Sequence, residues 1–284
     1  MKDESANTLN DLLAIIILAL IGALVKIYGA IFYNSRSLLV DALTSFANIV
    51  ALIFIVYFYK LSISPPDIDH PYGHHRLGIG GIIASIAAYS FVAGVSYTEL
   101  VYSTVYTVQI QSVYYAIAGF IIYLITILLA IRIGSIFRTY GAFTVSELIE
   151  SIIVILASLG GALYSYLIDY TGAIILTLYI FYEIIVSTRE ILSIISDKSP
   201  PYEILTSIRE LFEKNNFIIQ EMKIRVIHTG KYHGGFKVQS LDSKNYEDIW
   251  KKIQNIRRIL LEKYGIESII EIIPNANRNK YDKN

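Results

Sequence analysis

Residues 65–76 read Pro65-Pro66-Asp67-Ile68-Asp69-His70-Pro71-Tyr72-Gly73-His74-His75-Arg76. Three of the chain's five histidines fall within six positions of this stretch, beside two aspartates. Imidazole and carboxylate are the donor types that hold divalent transition metals such as zinc. The stretch leaves a long apolar run, which places metal chemistry at the mouth of a membrane-like segment. A turn capped by Asp67 and solvated histidines would account for the same residues without a metal, but the clustering favours the metal.

Composition agrees with a membrane setting. Of 284 residues, 54% are hydrophobic and only 17% are charged, where soluble domains carry about 25%. Residues 1–197 hold 8 Lys+Arg and 13 Asp+Glu, whereas residues 198–284 hold 16 and 11. An apolar front part is therefore followed by a charged tail of ordinary soluble character. The tail's basic excess is too diffuse for nucleic-acid binding. The absence of cysteine excludes disulfides and thiolate metal sites. Met1-Lys2-Asp3-Glu4 is acidic and the apolar run after it is long enough to span, which argues against a cleaved signal peptide. No nucleophile–base pair, phosphate loop or intramembrane protease motif is present, so an enzyme is not expected.

Apolar runs of the length a bilayer requires occur at about 10–33, 37–60, 79–105, 112–136, 144–168 and 171–194. The expectation is a six-helix, all-α transmembrane domain over residues 1–198. With an even number of spans, Lys2, Lys60, Arg76, Arg132, Arg138, Arg189 and Lys198 share one side, and the opposite loops carry only Arg36. The positive-inside rule then puts both termini, the histidine loop and the tail in the cytoplasm of a multi-pass protein of the cell membrane.

Ionisable residues within spans are costly and usually functional. Here they are Lys26, Asp41, Glu99, Glu147, Glu150 and Glu183. Asp41, Thr44 and Asn48 lie on one face of the second span, and Ser146, Glu147 and Glu150 cluster on one face of the fifth. The two helices can present a ring of oxygen ligands to each other, although Thr44, Asn48 and Ser146 could equally tie the helices together. Lys26 and Glu183 lie near helix ends, where snorkelling or an ion pair is expected. Glu99 reads as either a pairing partner or a proton carrier.

After Ser199-Pro200-Pro201 the pattern becomes that of a soluble fold. A helix is expected over 202–215, strands over 221–229 and 235–241, a helix over 245–264 carrying Ile249, Trp250, Ile253, Ile256 and Leu260, and a strand over 267–273. Gly265 is the expected C-cap. This α-β-β-α-β order over residues 199–274 suggests a small α+β sandwich, marginal alone and expected to dock on a second copy. Residues 275–284 are expected to be disordered. His228 and His233 flank the turn between the first two strands and are weaker metal candidates.

At this point the chain resembles the cation diffusion facilitator family, from about Leu9 to Pro274. The carriers are Ser37-Leu38-Leu39-Val40-Asp41-Ala42-Leu43, the 65–76 stretch with its Pro-Tyr-Gly-His core, Asp169 opening the sixth span, and Ser196-Asp197-Lys198-Ser199-Pro200 leaving it. The resemblance implies a homodimer that exports cytoplasmic divalent cations in exchange for protons by alternating access, with a ferredoxin-like cytoplasmic domain. It places the transport site at Thr44 and Asn48 with Ser146 and Glu150, where the family commonly has His or Asp followed four positions later by Asp. This chain keeps only one carboxylate there and no imidazole; Asp41 and Glu147 could supply the missing charge. An all-oxygen site favours Mn²⁺, Fe²⁺ or Mg²⁺ over Zn²⁺, with the choice among these and Co²⁺ left open. The resemblance also makes Asp67, His70 and His74 an accessory metal site with His75 as an extra candidate, and makes Arg76 and Asp197 an interlock between subunits. The departure at the transport site leaves a second reading, a non-transporting metal sensor or regulatory subunit with a degenerate site.

Overall fold

The computed structural model describes the backbone of residues 2–133, 135–228, 230–241 and 246–273, and the side chains within those ranges except at 2–12, 133–146 and 228. Ser146, the His228 side chain and the 275–284 tail of the sequence reading lie outside the described residues. The chain forms two compact units, one made of residues 1–61 with 80–188, the other of 62–79 with 189–284.

The first unit is helical. Its helices are α1 (Lys2–Phe32), α2 (Arg36–Ser62), α3 (Ile79–Val101), α4 (Gln111–Ile133), α5 (Ser135–Leu163) and α6 (Tyr166–Ile195), of which α2 and α6 run on into the second unit. Among the described residues, five segments are long and apolar enough to cross a membrane: Leu13–Phe32, Arg36–Ser62, His75–Val101, Gln111–Arg132 and Tyr166–Ile195. The core is rich in small side chains, with Ala30, Ala47, Ala93, Ala116 and Ala173 buried among Leu38, Val92, Val154 and Leu176. Small residues let helix backbones approach closely where lipid supplies no hydrophobic drive. Large apolar side chains such as Ile17, Leu24, Phe91, Leu128, Leu156 and Leu178 point outward, as acyl chains demand.

The start of α2 is held by named bonds. Asn34 adopts a left-handed backbone (φ 53°), which Asn tolerates, and reverses the chain after α1. Ser35 then caps α2, its Oγ accepting the Leu38 N–H at 3.2 Å. Asp169 of α6 completes the cap by accepting from the Arg36 N–H at 2.7 Å, Ser35 Oγ at 2.7 Å and Ser37 Oγ at 2.5 Å.

The second unit contains the 65–76 loop, a single 3₁₀ turn (His75–Gly78), and α7 (Tyr202–Lys214), β1 (Phe217–His228), β2 (Lys231–Ser240), α8 (Tyr246–Tyr264) and β3 (Ile266–Ile272). The sheet order is β1-β2-β3. The β1–β2 pair is an antiparallel hairpin running from Phe217↔Ser240 to His228↔Lys231. The β2–β3 pair is parallel, from Tyr232↔Ile266 to Val238↔Ile272, and α8 provides the crossover that parallel pairing needs. Ile208 and Phe212 of α7, Ile253, Ile256 and Leu260 of α8, and Phe217, Ile224, Phe236, Val238 and Ile266 of the strands close one core. Gly265 ends α8 at φ 65°, its N–H returning to the Leu261 carbonyl at 3.1 Å.

Three details depart from the sequence reading. β1 begins at Phe217 rather than 221 because a register shift between Ile219 and Glu221 changes the parity of inward positions, so Phe217 and Ile224 both reach the core. β2 begins at Lys231 rather than 235 because Phe236 covers Gly234, where a Cβ would lie 2.7 Å from its ring. Trp250 shares the helical spacing of the α8 core positions but is half exposed.

Candidate functional site

In the helical unit the polar face of α2 meets that of α5. Asp41 is 1% exposed, Glu147 1% and Glu150 7%. Thr44 Oγ1 lies 3.4 Å from Glu150 Oε2 and also donates to the Asp41 carbonyl at 2.9 Å. Asn48, the third residue of the α2 face, has its amide oxygen engaged by the Tyr89 hydroxyl of α3. Both carboxylate oxygens of Glu147, and Oδ2 of Asp41, accept no hydrogen bond among the described residues. Uncompensated buried charge costs several kcal/mol. A cluster of orphaned carboxylate oxygens therefore has the chemistry of a cation site.

Of the two expectations for Lys26, snorkelling or an ion pair, the ion pair holds. Its side chain does not snorkel to a helix end but is wholly buried. The ammonium donates to Asp41 Oδ1 at 2.9 Å, Ser45 Oγ at 3.1 Å and Ser151 Oγ at 3.2 Å, and sits 4.3 Å from the Tyr123 ring centre. All three ammonium protons thus have acceptors. Its aliphatic stem fits because α4 has Gly119 there, where a Cβ would come within 2.6 Å of Lys26 Cγ. The charges of Lys26, Asp41, Glu147 and Glu150 act on one another.

Sequence reasoning passed over Tyr89, Ser45 and Ser151. Ser45 and Ser151 each lie four positions after a buried acid, Asp41 and Glu147, so helical spacing could have found them. Nothing in the sequence pointed to Tyr89, whose approach is purely tertiary. Glu183 accepts from Tyr179 at 2.7 Å, one turn away. Glu99 pairs with Arg36, which resolves it as an ion-pair partner.

The second cluster lies in the 65–76 loop. One ligand atom each from Asp67, His70 and His74 lies within 4.8 Å of the others. The backbone builds this grouping. Asp67 Oδ1 accepts the His70 N–H at 2.6 Å, and Gly73 takes φ 81°, turning the chain so that His74 comes back over Asp67. That N–H bond, with the two imidazoles, holds the Asp67 carboxyl below the usual range. His74 Nδ1 lies 3.1 Å from the Pro65 carbonyl and Nε2 lies 3.2 Å from Asp67 Oδ2. A carbonyl on Nδ1 is what orients an imidazole to offer Nε2 to a metal. His75 is not part of this grouping; its Nε2 lies 3.8 Å from Glu267 Oε1. His233 packs edge-on to Tyr72 at 6.4 Å and belongs to no metal-ligand cluster among the described residues.

Arg76 and Asp197 do meet, at 2.9 Å, and within one chain. Asp197 takes φ 54° just after α6 and accepts a second guanidinium, Arg225 of β1, at 3.1 Å. Both partners are substantially exposed, so the pair orients more than it stabilises.

Comparison with known proteins adds the decisive observation: residues 12–196 match the family model of the cation efflux transmembrane domain. The chain belongs to the cation efflux family. Its members are transporters and not enzymes, and the helical unit is that of a multi-pass membrane protein. Three relatives from Bacillus subtilis (strain 168) are similar over part of their length. The uncharacterized transporter YdbO is 35% identical over 86 residues, 30% of this chain and 28% of that protein. The manganese efflux system protein MneS is 34% identical over 86 residues, again 30% and 28%. The manganese efflux system protein MneP is 32% identical over 114 residues, 34% of this chain and 38% of that protein. The chain thus matches well under half the length of these relatives.

Proposed function

We propose that this cation efflux protein exports a divalent cation, Mn²⁺ foremost, from the cytoplasm in exchange for protons by alternating access. The observation that carries the reading is Glu147, a buried carboxylate with both oxygens unpartnered among the described residues, one turn from Glu150, which itself faces Thr44. Glu147 and Glu150 supply negative charge, and Thr44 with its neighbours supplies neutral oxygen. A donor set without nitrogen or sulfur suits hard cations. The naming of MneS and MneP as manganese efflux proteins supports Mn²⁺ over Fe²⁺, Co²⁺, Zn²⁺ and Mg²⁺.

In this reading α5 also crosses the membrane, as the fifth of six spans, both termini are cytoplasmic, and the tail is a ferredoxin-like domain through which two copies pair. Asp67, His70 and His74 hold an accessory cytoplasmic metal, with water completing its shell. A metal there would tie the loop's ends together and do no transport chemistry.

The test is flux in proteoliposomes, with Mn²⁺ and pH reported simultaneously. Mn²⁺ movement against an opposing proton flow is expected. Binding of Mn²⁺ without movement of Mn²⁺, Fe²⁺, Co²⁺ or Zn²⁺ under any pH gradient would replace this reading with that of a sensor.

A further inference from the structure

We propose that Lys26 is a fixed internal cation that sets the net charge of the transport site, so that one divalent ion neutralises it and can still leave. The inference rests on the transport reading and extends it to a residue that touches no cargo. Formally, Asp41, Glu147 and Glu150 place three negative charges in one buried region, and the Lys26 ammonium reduces them to two.

The geometry argues against a merely structural lysine. A buried ammonium with three acceptors is satisfied, but among the described residues Asp41 is satisfied on one oxygen only. Among the described residues, the lysine holds Asp41 by Oδ1 and leaves Oδ2 without a donor, as Glu147 is without one on both oxygens. Ser45 and Ser151 take the remaining ammonium protons, so Lys26 is tied to α2 and α5 at once. Glycine at 119 on α4 admits the lysine stem at a depth where any larger residue would collide with it. Lysine is thus built into the site, and its charge lies beside the cargo position without occupying it. A like charge beside a bound cation weakens binding, and in low dielectric the effect is large. For a carrier, weaker binding is useful, because cargo held too tightly is not released.

The test varies formal site charge while keeping oxygen donors in place. Lys26→Met keeps an unbranched stem beside Gly119 and leaves three negative charges. Asp41→Asn keeps an oxygen and leaves one negative charge. The double variant K26M/D41N returns the site to two. Mn²⁺ affinity of the purified full-length protein, read from the free-ion EPR signal, should order as K26M tighter than wild type by about tenfold or more, the double variant within about threefold of wild type, and D41N weaker by about tenfold or more. K26M should also lower both KM and Vmax for Mn²⁺ flux, a split that loss of packing does not produce. Lys26→Gln, which can still hydrogen-bond Asp41, provides a second neutral variant should K26M not fold. A folded neutral variant that binds Mn²⁺ no tighter than wild type overturns the proposal. Wild type that binds none of Mn²⁺, Co²⁺ or Zn²⁺ overturns the transport reading itself, a result distinct from variants out of order.

Discussion

Two carboxylates equally buried in the helical unit meet opposite surroundings. Asp169, with no exposed surface, accepts from Ser35, Ser37, the Arg36 N–H and the Tyr106 hydroxyl, the last at 3.0 Å. Glu147, also buried, accepts from none of the described residues. The first carboxylate is used up by the fold, fixing the start of α2 against α6. The second has no donor among the described residues and, in the transport reading, is left for the cargo. Burial alone therefore does not mark a cation site; burial without donors does.

The largest effect that can break this contrast is at Glu147. Glu147→Gln keeps the volume and one carbonyl oxygen but removes the charge. Mn²⁺ transport should fall by about a hundredfold or more, while stability without metal holds or rises. Glu150→Gln should behave alike. Robust Mn²⁺ flux in a folded E147Q protein would return Glu147 to the structural class.

Asp169→Asn supplies the reverse case. The new amide turns an N–H group toward hydroxyls that had been donating, so thermal unfolding in detergent should report a loss of roughly 2–3 kcal/mol with or without Mn²⁺. An unchanged melting temperature with weakened Mn²⁺ binding would mean that the two carboxylates had been assigned the wrong way round.

The contrast was only half visible in the sequence. Periodicity placed Asp41, Thr44 and Asn48 on one face and Glu147 and Glu150 on another, because helical geometry is local. It could not tell a satisfied acid from an unsatisfied one, since the donors to Asp169 come from positions more than 60 residues away. Lys26 was left between snorkelling and an ion pair for the same reason. Six residues from the end of α1, it fits either until Gly119, Tyr123 and Ser151 surround it and Asp41 pairs with it. The loop was more legible, since Asp67, His70 and His74 are close in sequence and one turn brings them together. His75 is one residue further and is drawn instead to Glu267 of β3, a contact that no local pattern encodes. In the sheet unit, alternation was readable only on the near side of the bulge in β1.

A third kind of carboxylate sharpens the comparison further. Asp67 is half exposed and already satisfied by a backbone N–H, so its charge costs little and geometry decides what it binds. If the loop holds a resident metal, saturation at a hundred times Kd stabilises the chain by ~2.7 kcal/mol. His74→Ala should remove that metal-dependent rise in melting temperature and lower bound Zn²⁺ by one ion per chain. Mn²⁺ flux should stay within about threefold of wild type. A collapse of flux in H74A would join the loop to the ion path and erase the distinction between cargo and resident metal.

At the far end of the scale stands Glu221, a partly exposed carboxylate paired with Lys223 and, at 2.8 Å, with Lys237 across the β1–β2 hairpin. These two ammonium groups pull its carboxyl down to about 2 from an ordinary value of 4.5. A folded-state value below the unfolded one means that the pair's stabilising contribution is complete above pH 4.5. It is lost as pH falls from 4.5 through 2. Glu221→Gln should therefore melt slightly below the native chain at pH 7, with the gap closing across that acid window. High salt at neutral pH should close it as well, because water and counter-ions reach the pair. A gap that persists at pH 2 would show Glu221 acting through packing in the hairpin instead of charge. The same substitution that silences the buried site at Glu147 should barely register here, and the difference between the two positions measures what removal from water does to a carboxylate.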